Sequence, residues 1–344
     1  MSPVPPLRAV PGHIDFHGAP AGAEPVAGEL LYGKPPGSML DALTWLIRHL
    51  LGGFADIFLF VASPSAWPDF GDKQWLGRFI YYGASVELFF VLLDIAIVIV
   101  VIGLWRHSVL WGIVRGIEAV NNAVGRIAAW AALIMVVQQV LIVSLQRIFR
   151  VSEISAGPFG MVFTKDLSWF GEELKLYNAA IITLCAAYTF IQGGHVRVDL
   201  FYAKMRFRAR KLMDMFGSLF FVIPFMTVVW LFGWYFMWRH LVTPKVSATD
   251  SIEILARKSR LMRWNVETIS FSPNGFDAYF LFKVLLVLFA GLMFLQGIAF
   301  FYRSLLEYLE GPESENRYRD LDDTFDEPIV PSGLPEQGAR GGAG

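Results

Sequence analysis

Cysteine and charged residues are scarce in this sequence. Its 344 residues include one cysteine, Cys185, which excludes a disulfide within the chain and any Cys-x-x-Cys metal or redox site. Because Cys185 lies inside an apolar run, we interpret it as a small apolar side chain. Charged residues make up 17% of the chain, against about 25% in soluble domains. The formal net charge of −1 gives no indication of nucleic-acid binding, since the basic residues lie between apolar runs.

Recognisable catalytic and metal-binding motifs are also missing. His13 and His17 lie in a Pro-rich tail, and His107, His195 and His240 lie at predicted helix ends, whereas a membrane haem needs facing histidines inside a bundle. The sequence contains no HExxH motif, phosphate-binding loop, nucleophile elbow or dinucleotide fingerprint. We therefore expect no cofactor, no ATP hydrolysis and no enzymatic activity.

Long apolar runs are what the chain does contain. A helix needs about 20 mostly apolar residues to cross a bilayer, and Leu174–Gln192 carries a single charge, Lys175. The other predicted spans are Phe79–Trp105, Gly125–Phe149, Leu212–Trp238 and Ala278–Tyr302. We predict an all-α integral membrane protein, a helical bundle with four core transmembrane helices and one or two extra N-terminal membrane helices.

The first apolar run, Met39–Ala62, allows two interpretations. It carries Asp41, Arg48 and Asp56, so it either spans the bilayer or lies in the interface. Residues 1–38 lack the features of a cleaved signal peptide, and export of such a tail is unfavourable. We therefore favour six spanning helices over five.

The chain divides into four predicted parts. They are a disordered N-terminal tail (1–38), the extra N-terminal membrane helices (39–105), a four-helix core (106–303) and an acidic disordered C-terminal tail (304–344).

Local patterns add detail to this layout. We expect Ser168 to cap the helix of the central run, and Pro224 to kink the span that contains it. Val109–Val120 is expected to lie along the membrane as a separate segment. Ser251–Trp264 has the pattern of a short basic amphipathic helix.

The short loops predict the orientation. The turn 194–211 carries six Lys and Arg against one acid, Asp199, and the connection 106–126 is also basic. The loop 150–167 is nearly neutral. By the positive-inside rule the two basic connections lie in the cytoplasm, and with six spans both termini are cytoplasmic.

Glu87 and Asp94 are the main candidates for intramembrane chemistry. They lie seven residues apart, on one face of a predicted spanning helix, where a carboxylate is costly unless paired or neutralised. One interpretation is a cation or proton relay; the other is a polar contact, for example with Arg48 or Gln138. We expect Gln138, like Gln139 and Gln146, to join helices by hydrogen bonds.

Several motifs together resemble one transporter family. The run Ser-Trp-x-x-Glu-Glu-Leu at 168–174 is followed by an apolar span and by Gly-Gly-His-Val-Arg-Val-Asp-Leu-Phe-Tyr at 193–202. Further matching positions are Leu145-Gln146-Arg147-Ile148-Phe149, Pro224, Trp264, Glu267, Ser270, Ser272-Pro273-Asn274-Gly275-Phe276, Lys283 and Gln296-Gly297. Over residues 120–303 the chain resembles the small membrane subunit of tripartite ATP-independent periplasmic (TRAP) transporters, in their larger mannitol/chloroaromatic-type branch. Asn274 stands where that family usually has glycine, and the run 240–262 and the N-terminal helices have no counterpart in its minimal members.

The resemblance implies a partner-dependent role in the bacterial inner membrane. A periplasmic solute-binding protein captures a small organic solute such as a carboxylate. A large membrane subunit then imports it by symport with an ion. The small subunit is implied to act as its scaffold. Structural or subunit-interface positions are then expected at Trp169, Glu172, Glu173, His195, Arg197, Asp199 and Lys283, with Glu87 and Asp94 as further candidates.

Two other functions remain open from the sequence. One is an autonomous ion-coupled transporter or channel that uses Glu87 and Asp94. The other is a membrane anchor of a redox complex, which would show a haem Soret band after purification.

Overall fold

The computed structural model describes residues 38–62, 74–156, 163–193, 205–268, 270, 274–315 and 317–320. Most of these residues are helical, about 78%, and there is almost no sheet among them, which confirms the all-α fold class. Five described helices are long and apolar enough to cross a membrane, as expected for a multi-pass membrane protein. The tails 1–37 and 321–344 lie outside the described residues, so their predicted disorder stays a prediction.

The elements follow one another in this order: α1 Met39–Ala62, α2 Trp75–Tyr82, α3 Val86–Trp105, α4 His107–Arg147, β1 Glu153–Ala156, β2 Phe163–Asp166, α5 Leu167–Ile191, α6 Phe207–Gly217, a π turn Ser218–Val222, α7 Ile223–Trp238, β3 Val242–Thr243, α8 Ile252–Arg260, β4 Arg263–Trp264, α9 Phe280–Glu310 and a 3₁₀ turn Pro312–Ser314. The strands form two small antiparallel pairs, β1 with β2 and β3 with β4.

Helix α9 lies at the centre of the bundle. It contacts α4, α5, α6 and α7, while α4 and α5 pack along each other. One face of α9 is buried along its whole length, from Lys283 through Ala290 and Gly297 to Leu306. The helices alternate in direction, so α4 and α6 begin where α5 and α9 end. We call this the Arg303 end, and the opposite end, where α5 begins, the Glu172 end.

The N-terminal helices pack on the outside of this core. Helix α1 packs against α3, and α2 packs against α8 and α7. Helix α1 has 24 residues, about 36 Å at 1.5 Å per residue, which is long enough to cross the hydrocarbon region. That α1 crosses the membrane as a sixth span therefore stays a prediction.

The predicted span Phe79–Trp105 is confirmed over Val86–Trp105, but its predicted start was wrong, because two helices meet at Gly83. The indole N–H groups of Trp230 and Trp234 donate to the carbonyls of Gly83 and Ile80, at 2.8 and 2.9 Å. The Ser85 hydroxyl then caps α3 by accepting the Leu88 N–H at 3.1 Å. The tryptophans of α7 thus bind the end of α2, and α3 begins anew.

The separate segment predicted at Val109–Val120 was also wrong. Helix α4 runs without interruption over 41 residues, about 61 Å. The sequence contains no proline between His107 and Arg147, and Gly125 lies against the Tyr188 ring of α5, where a larger residue would collide. Packing therefore extends the helix through positions that hydropathy alone divides.

Two further boundaries differ from the predictions, and the kink expected at Pro224 stays a prediction. Asp166, at the end of β2, occupies the N-cap position of α5, and Ser168 lies inside the helix. Pro224 follows a π turn, which accommodates the missing N–H and the bulky ring. The amphipathic segment forms a helix only over Ile252–Arg260, capped by the Ser251 hydroxyl, which accepts the Ile254 N–H at 3.4 Å.

The C-terminal tail begins later than predicted. Helix α9 continues past Tyr302 to Glu310, and Gly311 then turns the chain with a positive φ of 93°. Residues 317–320 pack back on the bundle through Asp320 and Arg319. The assignment of 304–320 to a disordered tail was therefore wrong, because its charged side chains pair with the helices.

We predict that Gly83→Ala lowers the free energy of unfolding by about 1–3 kcal/mol, because a Cβ at this position would collide with the Trp234 ring. The backbone φ of −64° at Gly83 is itself open to alanine, so the collision is the cause. Thermal unfolding in detergent, followed by circular dichroism, measures the effect. Gly217→Ala is the control, since it meets open space; equal stability of both variants would contradict the packing argument.

Candidate functional site

Trp169 and Glu172 connect the start of α5 to the segment before α9. One Glu172 carboxylate oxygen accepts the backbone N–H of Phe276 at 2.9 Å. The Trp169 indole N–H donates to Asp277 at 3.1 Å, and its ring packs edge-on against Phe276. Both predicted positions thus hold two parts of this chain together at the Glu172 end.

Glu173 joins α5 to α4. One of its oxygens accepts the Gln138 amide N–H at 2.9 Å, and the other accepts the Tyr177 hydroxyl at 2.9 Å. The helix-joining role expected for Gln138 is confirmed by this bond.

At the Glu172 end, the surroundings of Asp277 shift the pKa of its carboxyl group. Burial alone would raise its pKa, but the Trp169 indole, the Asp277 backbone N–H and the Lys165 ammonium 3.7 Å away hold the pKa of Asp277 below its ordinary value. A lowered pKa means that the ionised form is stabilised in the folded protein. This contribution is present at neutral pH and is lost as the pH falls through the folded pKa.

Lys283 lies near the start of α9 and is almost fully buried, with 7% of its surface exposed. Its ammonium lies 4.9 Å from the centroid of the Phe236 ring and 5.8 Å from that of Tyr279. Two aromatic faces are a favourable environment for a cation that has left water. Lys283 therefore links α9 to α7 through aromatic rings.

Asp94 lies in the contact between α1 and α3. It is completely buried, and neither of its carboxylate oxygens has a hydrogen-bond partner among the described residues. It fills the space beside Gly53, where any side chain would collide with it. Of the polar contacts suggested for this face, neither example is found for Asp94: Gln138 binds Glu173, and Arg48 makes no described bond to Asp94. A contact with a partner subunit stays a prediction. Glu87 lies in the first turn of α3 and is exposed on the surface of the chain.

A buried ion pair that the sequence analysis missed lies at the Arg303 end. Arg303 of α9 donates through Nε and Nη2 to both carboxylate oxygens of Glu118 in α4, at 2.9 and 2.5 Å. Both residues are at most 5% exposed, and the guanidinium also lies over the Trp111 ring. Two-point pairing of this kind is the geometry in which arginine and carboxylate bind most strongly.

Further charges extend this pair to α6 and to the tail. Glu307, one turn after Arg303, accepts from the Lys211 ammonium of α6 at 2.6 Å, and Lys211 also lies 3.3 Å from Glu315. The Arg303 guanidinium donates to the Arg317 carbonyl at 3.0 Å. Helices α4, α6 and α9 and the tail are therefore held by one network of charges.

Asp320 brings α5 into the same network. Its carboxylate accepts from Asn122 and Arg126 of α4, and its carbonyl accepts from Gln192 after α5. The one available signal in the sequence was the spacing of Arg303 and Glu307, which places them on one helix face. It was missed because the last span was ended at Tyr302.

A hydrogen bond between two neutral side chains joins α4 and α9 in the middle of the bundle. The Asn121 amide of α4 donates to the Gln296 side chain of α9 at 2.7 Å, and both residues are 1% exposed. Beside it, Gly297 allows Val222 of the π turn to approach α9, since a Cβ there would lie 3.0 Å from the valine Cγ1. Gln296 and Gly297 therefore have packing roles.

Three predicted site residues, His195, Arg197 and Asp199, lie outside the described residues. Comparison with known proteins adds no relative: no protein-family model, no curated protein and no solved structure matches this chain.

We predict that Arg303→Met lowers the free energy of unfolding by about 3–5 kcal/mol, because it leaves Glu118 buried without a partner. The double variant Glu118→Leu/Arg303→Met is expected to regain most of that stability. Unfolding in mixed detergent micelles, followed by tryptophan fluorescence, measures both. Arg208→Met, at an exposed arginine of α6, is the control; a double variant no more stable than Arg303→Met would contradict the pairing argument.

Proposed function

We propose that this chain is the small membrane subunit of a TRAP-type secondary transporter. In this role it acts as a scaffold for a large ion-coupled subunit that imports small organic solutes, such as carboxylates, delivered by a periplasmic binding protein. The observation that carries the proposal is the use of its internal polar side chains. Glu118 binds Arg303, Asn121 binds Gln296, and Glu173 binds Gln138, so each pair joins two helices of the bundle.

This use of polar groups suits a static subunit. A transport site needs polar groups that face a path and can exchange partners with the solute. A buried ion pair with two-point geometry resists such exchange, because breaking it costs about 3–5 kcal/mol. The resemblance of the 168–174 and 193–202 motifs to the small TRAP subunit supports the same assignment.

Helix α7 offers the surface on which the large subunit would pack. Four of its large apolar side chains are well exposed and lie on one helix face, at Phe225, Val228, Phe232 and Phe236. Phe236 is also the ring over which the Lys283 ammonium lies. Lys283 thus fixes one end of the proposed contact surface without reaching the partner itself.

A second candidate function is favoured by Asp94. A fully buried carboxyl group without a described partner is costly inside a membrane and is a default functional position there. An autonomous ion-coupled transporter would use Asp94, together with Glu87 on the same helix. Loss of uptake in Asp94→Asn, with any complex still assembled, would support this alternative.

The deciding experiment is purification of the tagged protein from its native membrane in mild detergent, with mass spectrometry of what accompanies it. We expect one larger multi-pass membrane protein in a fixed ratio. Recovery of the chain alone, still active in uptake after reconstitution into liposomes, would contradict the scaffold proposal and favour the Asp94 alternative.

We predict that Lys283→Ala reduces both the recovery of the large subunit and the solute uptake, because Phe236 loses the cation that holds it. Lys245→Ala, at a lysine with 58% of its side chain exposed, is the matched control and is expected to change neither. Equal recovery and uptake in Lys283→Ala and the unmodified protein would remove Lys283 from the interface.

A further inference from the structure

A groove opens at the Arg303 end between α4 and the tail. Its volume is about 560 Å³. Gly112, Gly116 and Ala119 of α4 form one side, and Tyr318 and the two residues after it form the other. Both glycines face open space, with no atom within 4 Å of where a Cβ would lie. The groove therefore exists because α4 carries small residues where the tail passes it.

Charged side chains of both signs line the groove. Arg115 and Arg319 line it together with Glu118 and Asp320. Both carboxylates are already paired with arginines that do not line the groove, Glu118 with Arg303 and Asp320 with Arg126. With both carboxylates paired in this way, Arg115 and Arg319 add two positive charges to the lining that these two pairs do not balance. Such a surplus favours an anion at this position.

Arg115 is the side chain best placed to bind that anion. Its guanidinium lies 5.2 Å from the centroid of the Tyr318 ring and forms no ion pair with a described residue. A guanidinium stacked on an aromatic ring keeps its N–H donors at the edge, where they can bind phosphate oxygens. The ring also holds the side chain against the groove.

An apolar surface continues the groove along α4. Gly112, Gly116 and Ala119 belong to the helix face on which Ala123, Ile127, Trp130 and Ile134 follow at helical spacing. Ile127, Trp130 and Ile134 are 72%, 67% and 50% exposed. Ala123 to Ile134 covers about 16 Å, close to half of the roughly 30 Å hydrocarbon thickness. The groove that contains Arg115 is therefore continuous with an apolar face of α4, and this face is about as long as a lipid acyl chain.

From this arrangement we propose that the groove binds the phosphate headgroup of an anionic phospholipid, whose acyl chain lies along Ile127, Trp130 and Ile134. Basic pockets between membrane helices, on the side where basic loops are predicted here, are suited to such headgroups. The bound lipid would brace the tail segment 317–320 against α4. The proposal does not depend on the transporter assignment.

The test uses the full chain in detergent and native mass spectrometry. The probes are phosphatidylglycerol, phosphatidylcholine with the same acyl chains, and inorganic phosphate. We expect phosphatidylglycerol to remain bound under conditions that remove phosphatidylcholine. Arg115→Gln is expected to weaken its retention about fivefold, the effect of one cation near a membrane surface. Gly116→Leu is expected to weaken it too, because the side chain would fill the groove.

Matched controls separate this site from a general surface effect. Arg208→Gln removes another exposed arginine that lies over a tyrosine, Tyr308 at 5.8 Å, and Gly171→Leu fills open space on α5. Both are expected to retain the lipid like the unmodified protein. Equal retention of the two lipids, equal loss in the controls, or displacement by inorganic phosphate at the same concentration as lipid would each overturn the proposal. The proposal would also be overturned if a membrane protein recovered in the native complex shielded Arg115 from chemical modification while no lipid was retained.

Discussion

The buried pair between Glu118 and Arg303 is the contact on which the Arg303 end of the bundle depends. Charges inside a mostly apolar protein are stable only when each has a partner, and this pair satisfies both groups in two-point geometry. Because Arg303 also binds the carbonyl of Arg317, and Lys211 binds Glu307 and Glu315, the same charges order the end of α9 and the tail. The groove beside α4 follows from this, since its second side is the ordered tail.

The Glu172 end is held differently, by side chains that bind backbone groups and by aromatic rings. Glu172 binds the Phe276 N–H, and Trp230 and Trp234 bind carbonyls at the end of α2. Buried indole and carboxylate groups satisfy backbone atoms that would otherwise lack partners where helices break. Asp94 does not follow this pattern, because neither of its carboxylate oxygens has a partner among the described residues, and it lies where α1 joins the rest of the protein, outside the four core helices.

The two proposed partners would use separate faces. The large subunit is assigned to the apolar side of α7, beside Lys283, and the phospholipid to the face of α4 that begins at Gly112. Helix α9 lies between them and contacts both α4 and α7. A scaffold of this kind holds one partner surface while the lipid braces the opposite end, and neither role requires the bundle to move.

Hydropathy by itself determined the fold class and five of the membrane helices, since about 20 apolar residues without charge have no other stable place. The amphipathic pattern of Ser251–Trp264 also predicted a short helix, which the structure places at Ile252–Arg260, because this periodicity is a local property of the sequence. Only the tertiary structure decided that the chain breaks at Gly83, that α4 is continuous, and that Glu118 pairs with Arg303. The break requires the indoles of Trp230 and Trp234, about 150 residues away. The ion pair joins residues 185 positions apart, a separation at which sequence spacing carries no information about contact.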